Sequence, residues 1–107
     1  MRIVVIGAGL AGLATALMLR EDGHNVDIVT RGIGGLGLSS GTLDVYGWHN
    51  NGRPIDKPYE AIDQLASEQP EHPYAVIGKD AVRAGVDWLR ETTGLFAENP
   101  GTNVLIP

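Results

Sequence analysis

The chain has 107 residues, a length typical of one small domain that buries roughly two-thirds of its unfolded surface. Its formal net charge is −5 and no basic stripe runs along it, which argues against nucleic acid as a partner. It contains no cysteine, which excludes disulfide bonds, thiolate metal sites and a cysteine nucleophile.

The first thirty residues predict a βαβ unit. Apolar runs predict a buried parallel strand over Arg2–Ile6 and a second one over Val26–Thr30. Between them, Leu10–Asp22 predicts a helix that is apolar on nearly all sides, so we expect it to be buried on most sides. This order predicts an α/β protein with a Rossmann-like FAD/NAD(P)-binding fold. We expect the fold to be incomplete in this chain, since a complete one needs about six strands.

The turn between the first strand and the helix has the spacing G-x-G-x-x-G. Gly7 permits the tight turn, Gly9 leaves room for a phosphate, and Gly12 lets the helix pack closely on the strand. The helix then points N–H groups and its positive dipole end at that phosphate. In this context the motif predicts a dinucleotide-type site; the alternative is a glycine-rich turn that binds nothing. The predicted turn residues are Gly7, Ala8, Gly9, Leu10, Ala11 and Gly12.

The same apolar stretch has some features of a targeting segment. Residues 3–19 are apolar apart from Thr15 and follow Arg2, as in a signal peptide or a marginal membrane helix. We interpret the stretch as the phosphate motif, because glycines interrupt it where that motif needs them. No further stretch resembles a membrane span, so we expect a soluble, cytoplasmic protein.

The second predicted strand ends where dinucleotide sites usually carry an acidic residue. That residue, about 20 positions after the glycines, holds a ribose hydroxyl. Here Thr30 occupies the place, while Asp27 lies in mid-strand, where period-two alternation turns it away. We therefore expect a weaker grip on an adenosine ribose, or a cofactor that lacks one. Arg31 is either a phosphate ligand, as in NADP-binding proteins, or a surface residue at a strand end.

A glycine-rich loop, residues 31–42, follows. Five glycines fall within residues 32–42, so the backbone can lie flat against a ligand. Hydroxyl side chains and backbone N–H groups are its hydrogen-bond donors. Because the loop leaves the cofactor-binding edge of the predicted sheet, we interpret it as a binding loop; the alternative is a flexible linker. The candidate residues of this stretch are Thr30, Arg31, Gly32, Ser39, Ser40, Gly41 and Thr42.

The rest of the chain, residues 43–107, predicts a hairpin and helices. Residues 43–48 predict a strand, and Asn51-Gly52 predicts the hairpin turn after it. A helix is predicted from Lys57 to about Gln69, with Ile62 and Leu65 on its apolar face.

A last helix is predicted over residues 81–93, with Asp80 as its N-cap and Gly94 after its end. Prolines between these two helices break the helical pattern. Residues 95–97 and 104–106 predict short strands. We expect one partial domain over residues 1–107, made of the βαβ unit, the loop, and the hairpin with its helices.

Several stretches resemble a known family. Residues 5–13, VIGAGLAGL, are similar to the opening of FAD-type two-domain flavoproteins. Residues 28–32, IVTRG, and 39–44, SSGTLD, resemble the B subunit of anaerobic glycerol-3-phosphate dehydrogenase. His72-Pro73-Tyr74, with Gly78 four residues later, resembles it too. The likeness spans nearly all of this chain but only the N-terminal part of that family's length.

The resemblance implies a flavin-carrying oxidoreductase subunit, with FMN as the family's cofactor and FAD as the alternative. It implies two partners at the inner face of the membrane, the catalytic A and the iron–sulfur C subunits of glycerol-3-phosphate dehydrogenase, and contact with the membrane only through them. Electrons from the small-molecule substrate glycerol 3-phosphate would pass toward quinone, leaving dihydroxyacetone phosphate. Thr30 fits a cofactor without adenosine, whereas the glycine motif normally holds a dinucleotide pyrophosphate.

No catalytic residue is assigned from the sequence. It shows no Ser/His/Asp set, no metal-ligand cluster and no paired carboxylates, so we expect the protein to position a flavin whose own chemistry is used. Donors of residues 34–42 are candidates to stabilise negative charge on a reduced ring. Two other functions stay open. One is another FAD- or NADP-dependent oxidoreductase; the other is a non-catalytic nucleotide-binding assembly module.

Only two parallel strands are predicted with the glycine motif. We therefore expect a part of a longer protein, or a short gene product that lacks much of the fold. By itself the 107-residue chain is expected to be inactive, to bind flavin weakly or not at all, and to associate through open sheet edges.

Overall fold

The computed structural model describes residues 1–98 and 104–106. Within the chain, two compact units are distinguished, Met1–Ser40 and Gly41–Pro107. The expectation of one domain over residues 1–107 stays a prediction.

The first unit is a strand, a helix and a parallel strand. β1 (Arg2–Ile6) is followed by α1 (Leu10–Glu21) and β2 (Asn25–Val29). The strands pair in parallel, from Arg2 opposite Asn25 to Ile6 opposite Val29. The predicted α/β class and βαβ unit are confirmed, with the second strand shifted by one residue from its predicted bounds.

Much of the apolar surface of this unit is exposed. The half-buried side chains of β1 are Ile3 and Val5, whereas Val4 is 57% and Ile6 87% exposed. Of α1, only Ala16 is buried. The expectation of a helix buried on most sides is therefore wrong for this structure, and the strands predicted to be buried are covered on one face only. One helix contacts both strands, and a single helix covers a single face of a sheet.

The second unit combines short strands with three helices. The three strands form an antiparallel sheet in the order β3-β5-β4. Its described elements, in chain order, are β3 (Leu43–Asp44), α2 (Pro58–Glu68), α3 (Pro73–Ile77), α4 (Lys79–Thr93), β4 (Ala97–Glu98) and β5 (Val104–Ile106).

The predicted hairpin is present, with less strand than expected. The strand predicted over residues 43–48 is shorter, since β3 ends at Asp44. Trp48 and Pro54 then form an isolated antiparallel bridge around the turn. Gly52 has φ +78°, a conformation that glycine adopts readily.

Helices α3 and α4 differ from the prediction. Helix α3 was not predicted; its first residue is Pro73, and proline is tolerated at the first position of a helix. His72 caps it, because its Nδ1 accepts a hydrogen bond from the Tyr74 N–H at 3.1 Å. The predicted N-cap Asp80 is wrong: α4 begins at Lys79, directly after Gly78. Asp80 lies in the first turn of α4 instead, where its negative charge interacts favourably with the positive end of the helix dipole.

The core of the second unit is built where the helical pattern predicted it. Ile62 is 1% exposed and forms a buried cluster with Val45 and Val82. Leu65 is buried on the same helix, which confirms the predicted apolar face of α2. Half-buried side chains pack around this cluster: Tyr46, Tyr59, Tyr74 and Val86.

An ion pair joins α4 to α2 on the surface of this unit. The Lys79 ammonium donates to the Asp63 carboxylate, and this hydrogen bond, followed by the charge of Asp63, raises the pKa of Lys79. The ion pair of Lys79 therefore stabilises the folded state at neutral pH, and this stabilisation is lost as the pH rises through the raised pKa of Lys79.

We expect Ile62→Ala to lower the free energy of unfolding by about 2–5 kcal/mol, because it removes a fully buried side chain and leaves a cavity. Ile77→Ala is the matched control. Ile77 is 56% exposed, so its loss should change stability by less than about 0.5 kcal/mol. Urea denaturation followed by circular dichroism measures both, and equal losses would contradict the assigned core.

Candidate functional site

The predicted phosphate turn lies at one edge of the parallel sheet. The Gly7 N–H donates to the Val29 carbonyl at 2.9 Å, so the turn leaves β1 beside the end of β2. Gly7 has φ +106°, which an L side chain rarely adopts. Ligands of open parallel sheets bind outside the carboxyl ends of the strands, and this edge is of that kind.

Gly9 stands at the N-terminus of α1 with open space around it. A Cβ built on Gly9 would meet no heavy atom within 4 Å. Gly9 is the N-cap, with no side-chain cap and no acidic residue in the first turn of α1. The first helical bond runs from the Leu13 N–H to the Gly9 carbonyl at 3.0 Å. The N–H groups before it have no intrahelical partner, an arrangement that suits an anion.

Gly12 lies against the turn itself. A Cβ there would stand 2.1 Å from the Gly7 carbonyl oxygen and 3.6 Å from Val5 Cγ1. No side chain fits at the first distance, so the helix backbone approaches the turn only because residue 12 is glycine. The close helix–strand packing predicted from the motif is observed.

The glycine-rich loop touches the same turn through Gly34. A Cβ on Gly34 would lie 2.1 Å from the Ala8 carbonyl oxygen and 2.9 Å from the Gly9 nitrogen, and the residue has φ +75°. The loop backbone is thus packed directly on the phosphate turn. Gly34 was not among the predicted site residues. The sequence marks the glycine-rich loop after β2 as a candidate, but it does not indicate which of the glycines contacts the turn.

Thr30 and Arg31 follow β2 at the same sheet edge. The Thr30 hydroxyl donates to the Gly32 carbonyl at 2.6 Å, and the Gly32 N–H approaches the same hydroxyl oxygen at 3.3 Å. Thr30 therefore closes a local turn, while Arg31 is exposed. The Asp27 carboxylate accepts from Arg2 Nε at 2.8 Å, at the start of β1 and so at the opposite end of the strand from the turn.

The remaining predicted residues lie at the boundary between the units. All residues from 31 to 40 are exposed, and the Ser39 N–H donates to the Leu36 carbonyl at 3.1 Å, closing a 3₁₀ turn over Leu36–Leu38. Ser40 ends the first unit, and Gly41 and Thr42 begin the second, just before β3. The structure brings together the glycine turn, Thr30 and Gly34 within the first unit.

This arrangement fits the phosphate end of a flavin. It offers an uncapped helix N-terminus, open space at Gly9 and a glycine loop packed beside it. Within residues 1–98 and 104–106, no group of three or more His, Cys, Asp or Glu side chains is placed to hold a metal ion. The helix N-terminus and the open space of this arrangement are both features of the backbone.

Comparison with known families agrees with this geometry. The family described as FAD binding domain matches residues 2–105 of the chain. The chain belongs to the FAD binding domain family. Its cofactor is therefore a flavin; the family description names FAD, and the predicted first choice of FMN is not confirmed.

Curated relatives confirm the resemblance to anaerobic glycerol-3-phosphate dehydrogenase, since each is named as the B subunit of this enzyme. A relative from Aliivibrio fischeri is 38% identical over 105 residues, which cover 94% of this chain and 23% of the relative. One from Pectobacterium carotovorum is 44% identical over 82 residues, covering 77% of this chain and 20% of the relative. One from Vibrio cholerae is 34% identical over 90 residues, covering 84% of this chain and 21% of the relative.

The chain thus spans between a fifth and a quarter of the length of these relatives. Their name describes them as one of several subunits, so they are parts of multi-subunit enzymes. No solved structure is a significant match to the chain. Among the described residues, no helix has both the length and the apolar character to cross a membrane.

We expect Gly34→Ala to weaken flavin binding at least about tenfold, because the new methyl group would force the loop off the Ala8–Gly9 turn. Gly37→Ala is the matched control in the same loop, since a Cβ there meets nothing within 4 Å. Flavin titration of the full-length protein, followed by fluorescence quenching, compares the two. Equal affinities would show that the contact of Gly34 with the turn does not shape the site.

Proposed function

We propose that this chain is the flavin-binding part of the B subunit of an anaerobic glycerol-3-phosphate dehydrogenase. The observation that carries the flavin assignment is the open space at Gly9, at an uncapped helix N-terminus. The match of the FAD binding domain to residues 2–105 supports the same site. The substrate is proposed from the relatives, which carry this enzyme's name at 34–44% identity.

The residues of the first unit have defined tasks in this proposal. The N–H groups at the start of α1 bind a flavin phosphate, and Gly9 leaves room for it. Gly34 holds the loop against the turn, so that N–H groups and hydroxyls of residues 34–40 face the cofactor. When bound, the flavin supplies the two-electron redox chemistry. The proposed cofactor-binding set remains residues 7–12, 30–32 and 39–42.

The proposed reaction removes two electrons and two protons from the secondary alcohol of glycerol 3-phosphate and leaves dihydroxyacetone phosphate. The electrons then pass toward quinone. The proposed partners are the catalytic A and the iron–sulfur C subunits of the same dehydrogenase, which would hold this cytoplasmic protein at the inner face of the membrane. No side chain of this chain is assigned as the catalytic base.

For the kind of flavin, we propose FMN first and FAD second. No carboxylate stands at the ribose position, because Thr30 occupies it and its hydroxyl is held by Gly32. FAD has an adenosine ribose and FMN does not, so this feature favours FMN. The family description favours FAD. Neither an NADP-dependent enzyme nor a non-catalytic module is favoured by the comparisons.

The first test of the function is Gly9→Val in the full-length protein. The backbone of Gly9 has φ −76° and ψ 177°, which valine also adopts, so the fold should persist. The side chain would fill the space of the phosphate, and bound flavin should be lost. Absorption near the flavin bands and circular dichroism measure the two effects.

In the wild-type protein, assembled with its proposed partners, glycerol 3-phosphate should reduce the bound flavin under anaerobic conditions, and the visible flavin absorption should fall. A Gly9→Val variant with full flavin content would show that the phosphate is bound elsewhere. Wild-type protein that holds flavin but is not reduced by this substrate would refute the proposed dehydrogenase and leave the flavin site standing.

The choice between FMN and FAD is tested with Thr30→Glu and Thr30→Ala. Both variants lose the hydrogen bonds of Thr30 to Gly32, and only the first adds a carboxylate at the ribose position. If FMN is the cofactor, the two variants should bind each flavin with similar affinity. If Thr30→Glu binds FAD about tenfold more tightly than Thr30→Ala does, the ribose is present and the FMN assignment is wrong.

A further inference from the structure

A polar cleft of about 350 Å³ lies within the second unit, outside the flavin site. One wall is the hairpin turn after β3, which contributes His49, Asn50 and Arg53. The other wall is the C-terminal half of α2 and the residue after it, with Gln64, Glu68 and Gln69. The size is at the lower end of the ~300–1,000 Å³ typical of small-molecule sites.

The hairpin directs His49 and Arg53 into this cleft. The His49 N–H donates to the Arg53 carbonyl at 2.9 Å, so His49 lies opposite Arg53 across the hairpin. The Ile55 N–H donates to the Gly47 carbonyl at 2.9 Å, so these two residues form the next opposite pair but one. Opposite residues of an antiparallel pair share a face, and alternate pairs share the same one. His49 and Arg53 therefore lie on the face of the buried Ile55. Trp48, on the other face, is 66% exposed.

Both walls are anchored in apolar packing. Ile55 is buried on the hairpin side, and Leu65 is buried on α2, between the cleft residues Gln64 and Glu68. The Arg53 N–H donates to Asn51 Oδ1 at 3.1 Å, which fixes the tip of the turn. Each wall of the cleft is thus anchored by a buried side chain.

The charges and amides of the lining indicate what it would bind. The formal charges of Arg53 and Glu68 cancel, and the ion pairs of the described residues join other side chains. Glu68 Oε1 accepts from Gln64 Nε2 at 2.7 Å, so one carboxylate oxygen already has a donor. The lining also carries the amides of two asparagines and two glutamines, with donors and acceptors on both walls.

We propose that this cleft binds a small neutral polyol, a compound whose hydroxyl groups each donate and accept. An apolar ligand would displace water from the exposed amides and from both charges without replacing its hydrogen bonds. A phosphate ester would meet Arg53 on one wall, but its negative charge would also lie near Glu68 and the negative end of the α2 dipole on the other. A neutral polyol matches the mixed lining, with Arg53 and Glu68 as charged hydrogen-bonding groups at opposite walls. The inference does not depend on the proposed dehydrogenase.

The test is saturation-transfer NMR on the full-length protein with sorbitol and glycerol, beside glycerol 3-phosphate and glycine as charged comparators. Sorbitol should bind saturably and more tightly than either charged compound. Arg53→Ala and Asn50→Ala should each weaken sorbitol binding about tenfold, since each removes polar groups of the cleft. Arg20→Ala, on the exposed last turn of α1, is the matched control and should leave binding unchanged.

Gly9→Val separates this site from the flavin site, because it should leave sorbitol binding intact. Four results would overturn the proposal: no saturable sorbitol binding, binding that survives both Arg53→Ala and Asn50→Ala, tighter binding of glycerol 3-phosphate, or tighter binding of glycine. Circular dichroism of the variants shows whether a loss of binding comes from a loss of folding.

Discussion

The first unit depends on the close approach of one backbone to another at Gly12. Only a hydrogen atom fits between the α1 backbone and the Gly7 carbonyl, since a Cβ would stand 2.1 Å from that oxygen. This contact sets the angle at which α1 leaves the turn, and with it the direction of the N–H groups at Gly9. A larger residue at position 12 would tilt the helix and aim those donors elsewhere. The geometry at this edge of the sheet thus depends on the absence of a side chain at residue 12.

Gly34 makes a second close backbone contact, and the first such contact in this unit is that of Gly12. Its backbone packs on Ala8 and Gly9 as closely as α1 packs on Gly7, and again a methyl group has no room. The loop of residues 31–40 is otherwise exposed, with Ile33 and Leu38 about nine-tenths accessible. A single backbone contact therefore ties a glycine-rich loop, a conformationally permissive kind of segment, to a rigid turn. This contact holds part of a loop with little regular secondary structure against the glycine turn, as the proposed site requires.

The two units differ in how they bury apolar surface. The second has a closed cluster around Ile62, and helices α2 and α4 are joined by Lys79 and Asp63. The first leaves Val4, Ile6 and Val29 exposed on a two-stranded sheet. An uncovered sheet face of this kind favours association with further structure. The unit proposed to bind flavin therefore keeps apolar surface exposed, whereas the second unit has a buried core.

Sequence patterns predicted the features that depend on neighbouring residues. The βαβ unit, the glycine turn and helix α2 were predictable, because strand runs, helical spacing and glycine motifs act over a few residues. The role of Gly12 was predictable from the motif as well, and its contact with Gly7 is observed. Helix α3 was missed because its cap is a histidine, which is not a usual N-cap, and its first residue is a proline. Asp80 was misassigned because α4 begins at Lys79, directly after Gly78 and two residues earlier than predicted.

The sequence by itself determined the fold class, the glycine turn between β1 and α1, and the apolar face of α2. Tertiary structure alone decided that Gly34 meets Ala8 and that β1 keeps one face exposed. It also placed Arg53 and Glu68 across one cleft, although 15 positions separate them. These features depend on contacts between segments distant along the chain. Periodicity and motif spacing carry no information about such contacts, because they describe each segment by itself.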